Sequence, residues 1–427
     1  MGWTGGSVPL LSNFAAWSLG FPYAFSVPMT PGPDQLLLEL FAVFVSAKVV
    51  GEVFERLSLP SVLGEILAGV VLGPYALKVI EPSNVIFSLA EIGAIFVLFS
   101  AGLEISPRDL IDVGGKAVQV AVAGVILPFV LGFVYMKFRG DASSEAVFVG
   151  AAMVATSVGI TARVLADLHL LSSHTAKIIL GAAVFDDILG MVLLAIVGGF
   201  ANGGAPQWGH LAVLAAEAAG FALFMMFVAP RIVRHMEPRV EHLSTQNASL
   251  IVALAICLLL SWLAAKIGMA AIIGAFFAGL VFADYAPEWN LVPRVAGITE
   301  FLSPLFFFAI GARLNLRLFT GNVLLAAGVV SLLAIISKII GCGLPLLREG
   351  WPNAVRVGVG MLPRGEVALI VALVGLQSGI VLQSTYAIVV FMTAVTTLIA
   401  PPWMRYLFRN QMPRPSERSA ATSHVRL

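Results

Sequence analysis

Residues 181–199 read GAAVFDDILGMVLLAIVGG, an apolar run with two adjacent carboxylates, Asp186 and Asp187, near the centre of its segment. The apolar text extends from about 174 to 200, leaving roughly a dozen residues on either side of the pair. At about 1.5 Å per residue, a helix there would hold both carboxylates close to a bilayer midplane. A charge at that depth costs roughly 3 kcal/mol even on lenient insertion scales and persists mainly for function or pairing. Adjacent helical positions point about 100° apart, so the two carboxylates cannot share one proton as an aspartic protease dyad does. Each needs its own partner.

The rest of the chain is written in the same style. With 427 residues, 59% hydrophobic, 11% charged and a mean hydropathy of +0.96, it is far from a soluble protein, in which about a quarter of positions would be charged. A single crossing takes about 20 apolar residues, and turn chemistry divides the text from Gln35 onward into thirteen candidate segments. They fall near 36–57, 60–73, 83–104, 114–138, 144–168, 174–200, 208–236, 247–266, 269–284, 298–316, 321–347, 352–378 and 382–408. The expected class is an all-α polytopic membrane protein of about 13 transmembrane helices. A net charge of +1 gives no reason to expect nucleic acid as a partner. Cys257 and Cys342 both lie in apolar text and most simply fill space, which leaves no disulfide framework or cysteine metal site.

Residues 1–33 carry no Lys or Arg, whereas a secretory signal should begin with positive charge. The expected organisation is therefore an extracytoplasmic leader (1–34), a transmembrane domain (35–408) and a short cytoplasmic tail (409–427). Placing the N-terminus outside puts fifteen Lys and Arg, from Arg56 to Arg426, on the cytoplasmic side and six, such as Lys78 and Arg139, on the other. That asymmetry favours N-out, C-in.

Lys338 is the candidate counter-charge, centred in NVLLAAGVVSLLAIISKIIGCGLPLL (322–347) with no helix end near enough for easy snorkelling. Burial disfavours an ammonium and a neighbouring carboxylate restores it, so whatever occupies the carboxylate can switch the lysine. Which aspartate it meets is open at this level. Two segments look broken at their centres, AAMVATSVGITARVL (151–165) and GVGMLPRGEVALIVA (358–372). Thr156, Ser157 and Gly159 in one, and Gly360, Pro363 and Gly365 in the other, are where a helix would unwind and free its carbonyls. Interruptions in corresponding places of two halves point to inverted repeats around a midplane site. Arg163, Arg364 and Glu366 would offset the dipoles of the half-helices, Arg364 and Glu366 acting more simply as charge neutralisers than as direct ion ligands. Glu65 and Glu91 read as helix-end or interhelical hydrogen-bonding groups, and Lys48 and Glu52, four apart, as a local pair. His169 and His174 fall in a connecting loop, and GAFFAGL (274–280) reads as helix packing.

These pieces resemble the monovalent cation/proton antiporter superfamily, on the branch of bacterial Na+/H+ antiporters and the membrane part of glutathione-gated K+ efflux systems. The resemblance spans roughly residues 35–408 and rests on LPSVLGEILAGVVLGP (59–74), IFVLFSAGLEI (95–105), ATSVGITARVL (155–165), AAVFDDILG (182–190), FFFAIGARLNL (306–316), SKIIGC (337–342) and GMLPRGEVALI (360–370), in the family's order. It implies a homodimer in the plasma membrane, with a scaffold domain and a mobile core that holds two crossed, broken helices. Carried over by position, it implies Asp187 as the carboxylate that binds the monovalent cation and the proton, and Asp186 as the partner of Lys338. Thr156 and Ser157 become the unwound stretch beside the ion. The K+ efflux systems typically carry Gln at the position of Asp186, which tips the expectation to Na+ or Li+.

The expected function is thus electrogenic exchange of Na+ for H+ by elevator-like alternating access, with no resident cofactor, no ATP-binding motif and no enzymatic chemistry. K+/H+ exchange on the same fold and a transport-inactive sensor are the alternatives. A channel fits a titrating Asp and Lys on separate helices less well. An intramembrane aspartic protease lacks a second mid-segment aspartate on another helix.

Overall fold

The computed structural model describes residues 32–57, 59–201, 208–241, 247–315, 321–377 and 379–411. Most of the expected leader (1–31) and tail (412–427) lies outside the described residues, as does the side chain of Glu366. Among the described residues every regular element is helical, as hydrocarbon demands of a chain that must satisfy its backbone polar groups within each segment. In order the helices are α1 (Pro33–Arg56), α2 (Ser61–Leu72), α3 (Asn84–Leu103), α4 (Pro107–Arg139), α5 (Ser143–Val154), α6 (Val158–Asp167), α7 (His174–Ala201) and α8 (Trp208–Leu223). They continue as α9 (Ala229–Glu241), α10 (Ala248–Lys266), α11 (Ala271–Phe282), α12 (Leu291–Ala312), α13 (Gly321–Gly343), α14 (Trp351–Gly360), α15 (Glu366–Gln377) and α16 (Gln383–Phe408).

Helix occupies each of the stretches that turn chemistry marks out. Among the described residues, seven helical stretches are long and apolar enough to cross a bilayer, with α5 and α6 counted as one, and α2 and α11 are shorter apolar helices. The chain is a multi-pass membrane protein. Helix starts are where the sequence misleads. The segment expected from 114 starts earlier, and Gly114 and Gly115 lie inside α4, where an added Cβ would meet nothing within 4 Å. The helix starts instead at Pro107, whose missing N–H costs nothing in a first turn. Likewise α12 begins at Leu291, just after Asn290 takes a left-handed φ of 48°.

Two sets of helices pack among themselves. One comprises α1, α2, α3, α10, α11 and α12; the other comprises α4, α5, α7, α13, α14, α15 and α16. Between them runs α6, which touches α7 and α16 of the second set and α2 and α3 of the first. The pair α8 and α9, joined by the π-turn Phe224–Val228, leads from α7 to α10 and α11. Small residues permit the closest approaches, since apolar helices in lipid associate by van der Waals contact rather than by the hydrophobic effect. A Cβ on Gly69 of α2 would run into the carbonyl of Phe308 on α12, and one on Gly311 of α12 into the carbonyl of Ile66. In the 274–280 stretch, Gly274 faces the backbone of Leu260 and Gly279 that of Gly102.

Candidate ion-binding site

Each of the two interrupted helices breaks where its sequence is weakest. Helix α5 ends at Val154, the backbone runs extended at Ala155 (ψ 132°) and at Ser157 (φ −88°, ψ 102°), and α6 starts at Val158. Helix α14 ends at Gly360, Met361–Gly365 are non-helical around Pro363, and α15 starts at Glu366. The two breaks bind each other. The Ser157 N–H donates to Pro363 O at 2.8 Å, the Thr156 hydroxyl to Met361 O at 3.3 Å and the Thr161 hydroxyl to Gly360 O at 2.8 Å. Carbonyls orphaned at the end of α14 are therefore satisfied from the opposite break, as helix ends buried away from water require. Gly365 permits the crossing, because a Cβ there would overlap the Ser157 hydroxyl. That hydroxyl is buried and has no hydrogen-bond partner among the described residues.

Asp186 and Lys338 meet beside this crossing. Lys338 is fully buried on α13, and its Nζ donates to Asp186 Oδ1 at 3.0 Å, to Gly124 O at 2.9 Å and to Val154 O at 2.9 Å. Three donors meet three acceptors. Val154 is the last residue of α5, so the ammonium also stands at the negative end of a half-helix dipole. Asp186 is 1% exposed, whereas Asp187 is only half-buried and occupies the adjoining face of α7. Thr156, in the first break, is also buried. Carboxylate, hydroxyl and backbone carbonyl oxygens together suit a hard monovalent cation.

Of the other charges, Arg364 lies in the break where the sequence puts it, while Arg163 and Glu52 have other partners than the sequence suggests. Arg364 is fully buried in the second break, with Nη1 3.4 Å from Met361 O, while its own carbonyl accepts from the Thr397 hydroxyl of α16. Arg163 does not serve the crossing: it points along α6 to Asp167, Nε to Oδ1 3.0 Å, and its Nη1 donates to the Ser303 hydroxyl of α12 at 3.3 Å. Glu52 pairs with Arg56 at 2.8 Å instead of with Lys48, because Arg56 stands one turn further along the same exposed face. Glu65 keeps one carboxyl oxygen, Oε2, buried without a hydrogen-bond partner among the described residues. Thr161 and the carbonyls of Gly124 and Val154 escape a reading of the sequence. Only Thr161 leaves a signal there, four residues after Ser157 and so on the same helical face.

Next to the crossing, the Phe306 ring and Leu98 pack over Gly159. At the far end of α6, ten residues or about 15 Å along the helix, a cavity of about 550 Å³ opens among Glu65, Glu104, Arg163 and Asp167.

An all-helical membrane bundle with two interrupted helices crossed beside a buried Asp–Lys pair has the architecture of a secondary transporter. The family described as "sodium/hydrogen exchanger, transmembrane" matches residues 41–409, and the chain belongs to it, within the monovalent cation/proton antiporter superfamily. The chain is 36% identical over 414 residues to the high-affinity Na+/H+ antiporter NhaS3 of Synechocystis, covering 87% of this chain and 90% of that one. It is 33% identical over 380 residues to the Na+/H+-K+ antiporter GerN of Bacillus cereus, with 88% and 96% covered. Its fold is that of the sodium proton antiporter MjNhaP1 of Methanocaldococcus jannaschii, at a TM-score of 0.65 and 18% identity, with 88% of this chain and 97% of that one covered.

Proposed function

We propose that this protein exchanges Na+, or Li+, for protons across the plasma membrane, with Asp187 as the carboxylate for which cation and proton compete. The observation that carries the reading is the Lys338 ammonium held at 3.0 Å by Asp186 directly beside Asp187 and the two breaks. In the proton-loaded state Lys338 bonds Asp186. When Na+ reaches Asp187, Thr156 and Ser157, its charge and the rearrangement of ligands loosen that pair, and the lysine releases a second proton. Exchange is then electrogenic, about two protons per cation, and a membrane potential drives it with roughly 2.3 kcal/mol per net charge per 100 mV. Arg364 and Glu366 neutralise the helix ends around the site.

The packing of two helix sets against each other supports a division of residues 35–408 into scaffold and mobile core, with elevator-like movement of the core. The exposed apolar stripe Leu37, Phe41, Val45, Val49 and Val53 on α1 supports a homodimer through the scaffold. The distribution of Lys and Arg supports N-out, C-in. A second reading, K+/H+ exchange, draws on the similarity to GerN. Purified protein in liposomes should collapse an imposed proton gradient when Na+ is added. Silence towards Na+, Li+ and K+ between about pH 6 and 9 would sink the proposal, and apparent affinities for Na+ and K+ in the same vesicles decide between the two ions.

A further inference from the structure

Glu65 of α2 has no part in that exchange. It is 1% exposed, lines the 550 Å³ cavity, and its Oε2 is buried without a hydrogen-bond partner among the described residues. Across the seam, on α6, Asp167 lines the same cavity and its Oδ2 is likewise buried without one. The remaining contacts of this patch fasten α6 to the first helix set. Arg163 joins Asp167 to the Ser303 hydroxyl of α12, and the Ser61 hydroxyl of α2 reaches the Asp167 carboxylate. Lys48, Glu52 and Glu55 of α1, Glu104 at the end of α3, His169 in the turn after α6 and Glu300 of α12 line the same cavity as Glu65. The negative charges outnumber the positive ones.

A buried carboxylate oxygen with no donor is costly to keep ionised, and a proton on it supplies the missing donor. Asp167 Oδ2 is an unused acceptor facing the same cavity. We propose that Glu65 is a second proton-binding site, separate from the transport carboxylates, whose proton ties α6 to α2 and slows the movement of the core. Deprotonation leaves two carboxylates facing each other across the seam, only partly offset by Arg163 and Lys48, and frees α6. Because α6 begins at Val158, directly after Ser157, the state of Glu65 is transmitted along one rigid half-helix to the ion site. A proton that favours the tied arrangement is by linkage bound more tightly in it.

Two measurements test this, the first independent of the antiport reading and the second resting on it. Infrared difference spectra between acid and alkaline pH, taken on the Asp187→Asn protein, should show a protonated carboxyl band that disappears in Asp187→Asn/Glu65→Gln. Absence of a Glu65-dependent band overturns the proton site whether or not the wild type transports. In liposomes, Vmax at saturating Na+ should fall on the acid side by up to about tenfold per pH unit, as one controlling proton allows. Glu65→Ala should flatten that fall, and Glu65→Gln, a permanent neutral donor, should hold Vmax low at every pH, both with KM for Na+ unchanged. Competition at Asp187 alone would instead appear in KM. Melting curves confirm that the variants are folded, and a folded Glu65→Ala or Glu65→Gln protein with the wild-type Vmax profile overturns the tie.

Discussion

The ammonium of Lys338 lies 2.9 Å from the carbonyl oxygen of Val154, where the first interrupted helix stops. One side chain thus closes the end of α5 and holds Asp186, so the charge proposed to take part in exchange also supports the break. Lys338→Ala leaves a buried carboxylate and two carbonyls without their donor, a loss of about 3–5 kcal/mol for a broken buried pair. The variant should melt earlier, and any exchange that survives should have lost its voltage dependence. A stable, active and still voltage-sensitive variant shows that the lysine carries no proton.

Asp187→Asn separates the two aspartates. Asp187 is half-buried and Asp186 is nearly inaccessible and paired, so Asp187→Asn should abolish exchange while melting close to the wild type. Asp186→Ala should lower the melting temperature markedly by stranding Lys338. Normal exchange by Asp187→Asn overturns the whole site assignment.

Thr161 and Ser157 should respond in opposite ways. Thr161→Val removes the bond to Gly360 O and leaves that carbonyl buried without this donor, at a cost of about 1–3 kcal/mol in stability and little change in ion affinity. Ser157→Ala removes a hydroxyl with no protein partner among the described residues. It should leave melting unchanged and weaken apparent Na+ affinity about tenfold, roughly 1.4 kcal/mol. Melting curves and a Na+ titration of transport distinguish the two.

Gly311→Ala drives a Cβ into the Ile66 carbonyl, an overpacking that should cost about 1–3 kcal/mol. Gly114→Ala has open space around it and should be neutral or stabilising by up to about 1 kcal/mol. Thermal stability of the two detergent-solubilised proteins checks the contrast.

Hydrophobic runs and turn residues made the helices legible, and Gly and Pro made both interruptions legible, because each acts through local backbone preference. Asp186, Asp187 and Lys338 stood out because a charge in apolar text has few innocent explanations. What stayed hidden was carried by backbone or by tertiary choice. The carbonyls of Gly124 and Val154 have no identity in a sequence. Glu52 had two cations within a turn, Lys48 and Arg56, and only the fold selects between them. Arg163 looked like part of the crossing because it lies six residues past Ser157, yet helical geometry carries it about 9 Å away, to the seam with α12.

The mutual bonds of the two breaks also bear on how the protein is made. Thr156 bonds to Met361, 205 positions later in the chain, and the Ser157 N–H waits for Pro363. At about 5–20 residues per second, synthesis leaves the first interruption without its partner for roughly 10–40 s. Throughout that interval its polar backbone must be sheltered by water, by the insertion machinery or by a temporary helical register, since lipid offers no hydrogen bonds. Assembly of the second half is therefore the step that completes the first, and a ribosome stalled before residue 361 would expose an unfinished membrane helix to the cell's quality control.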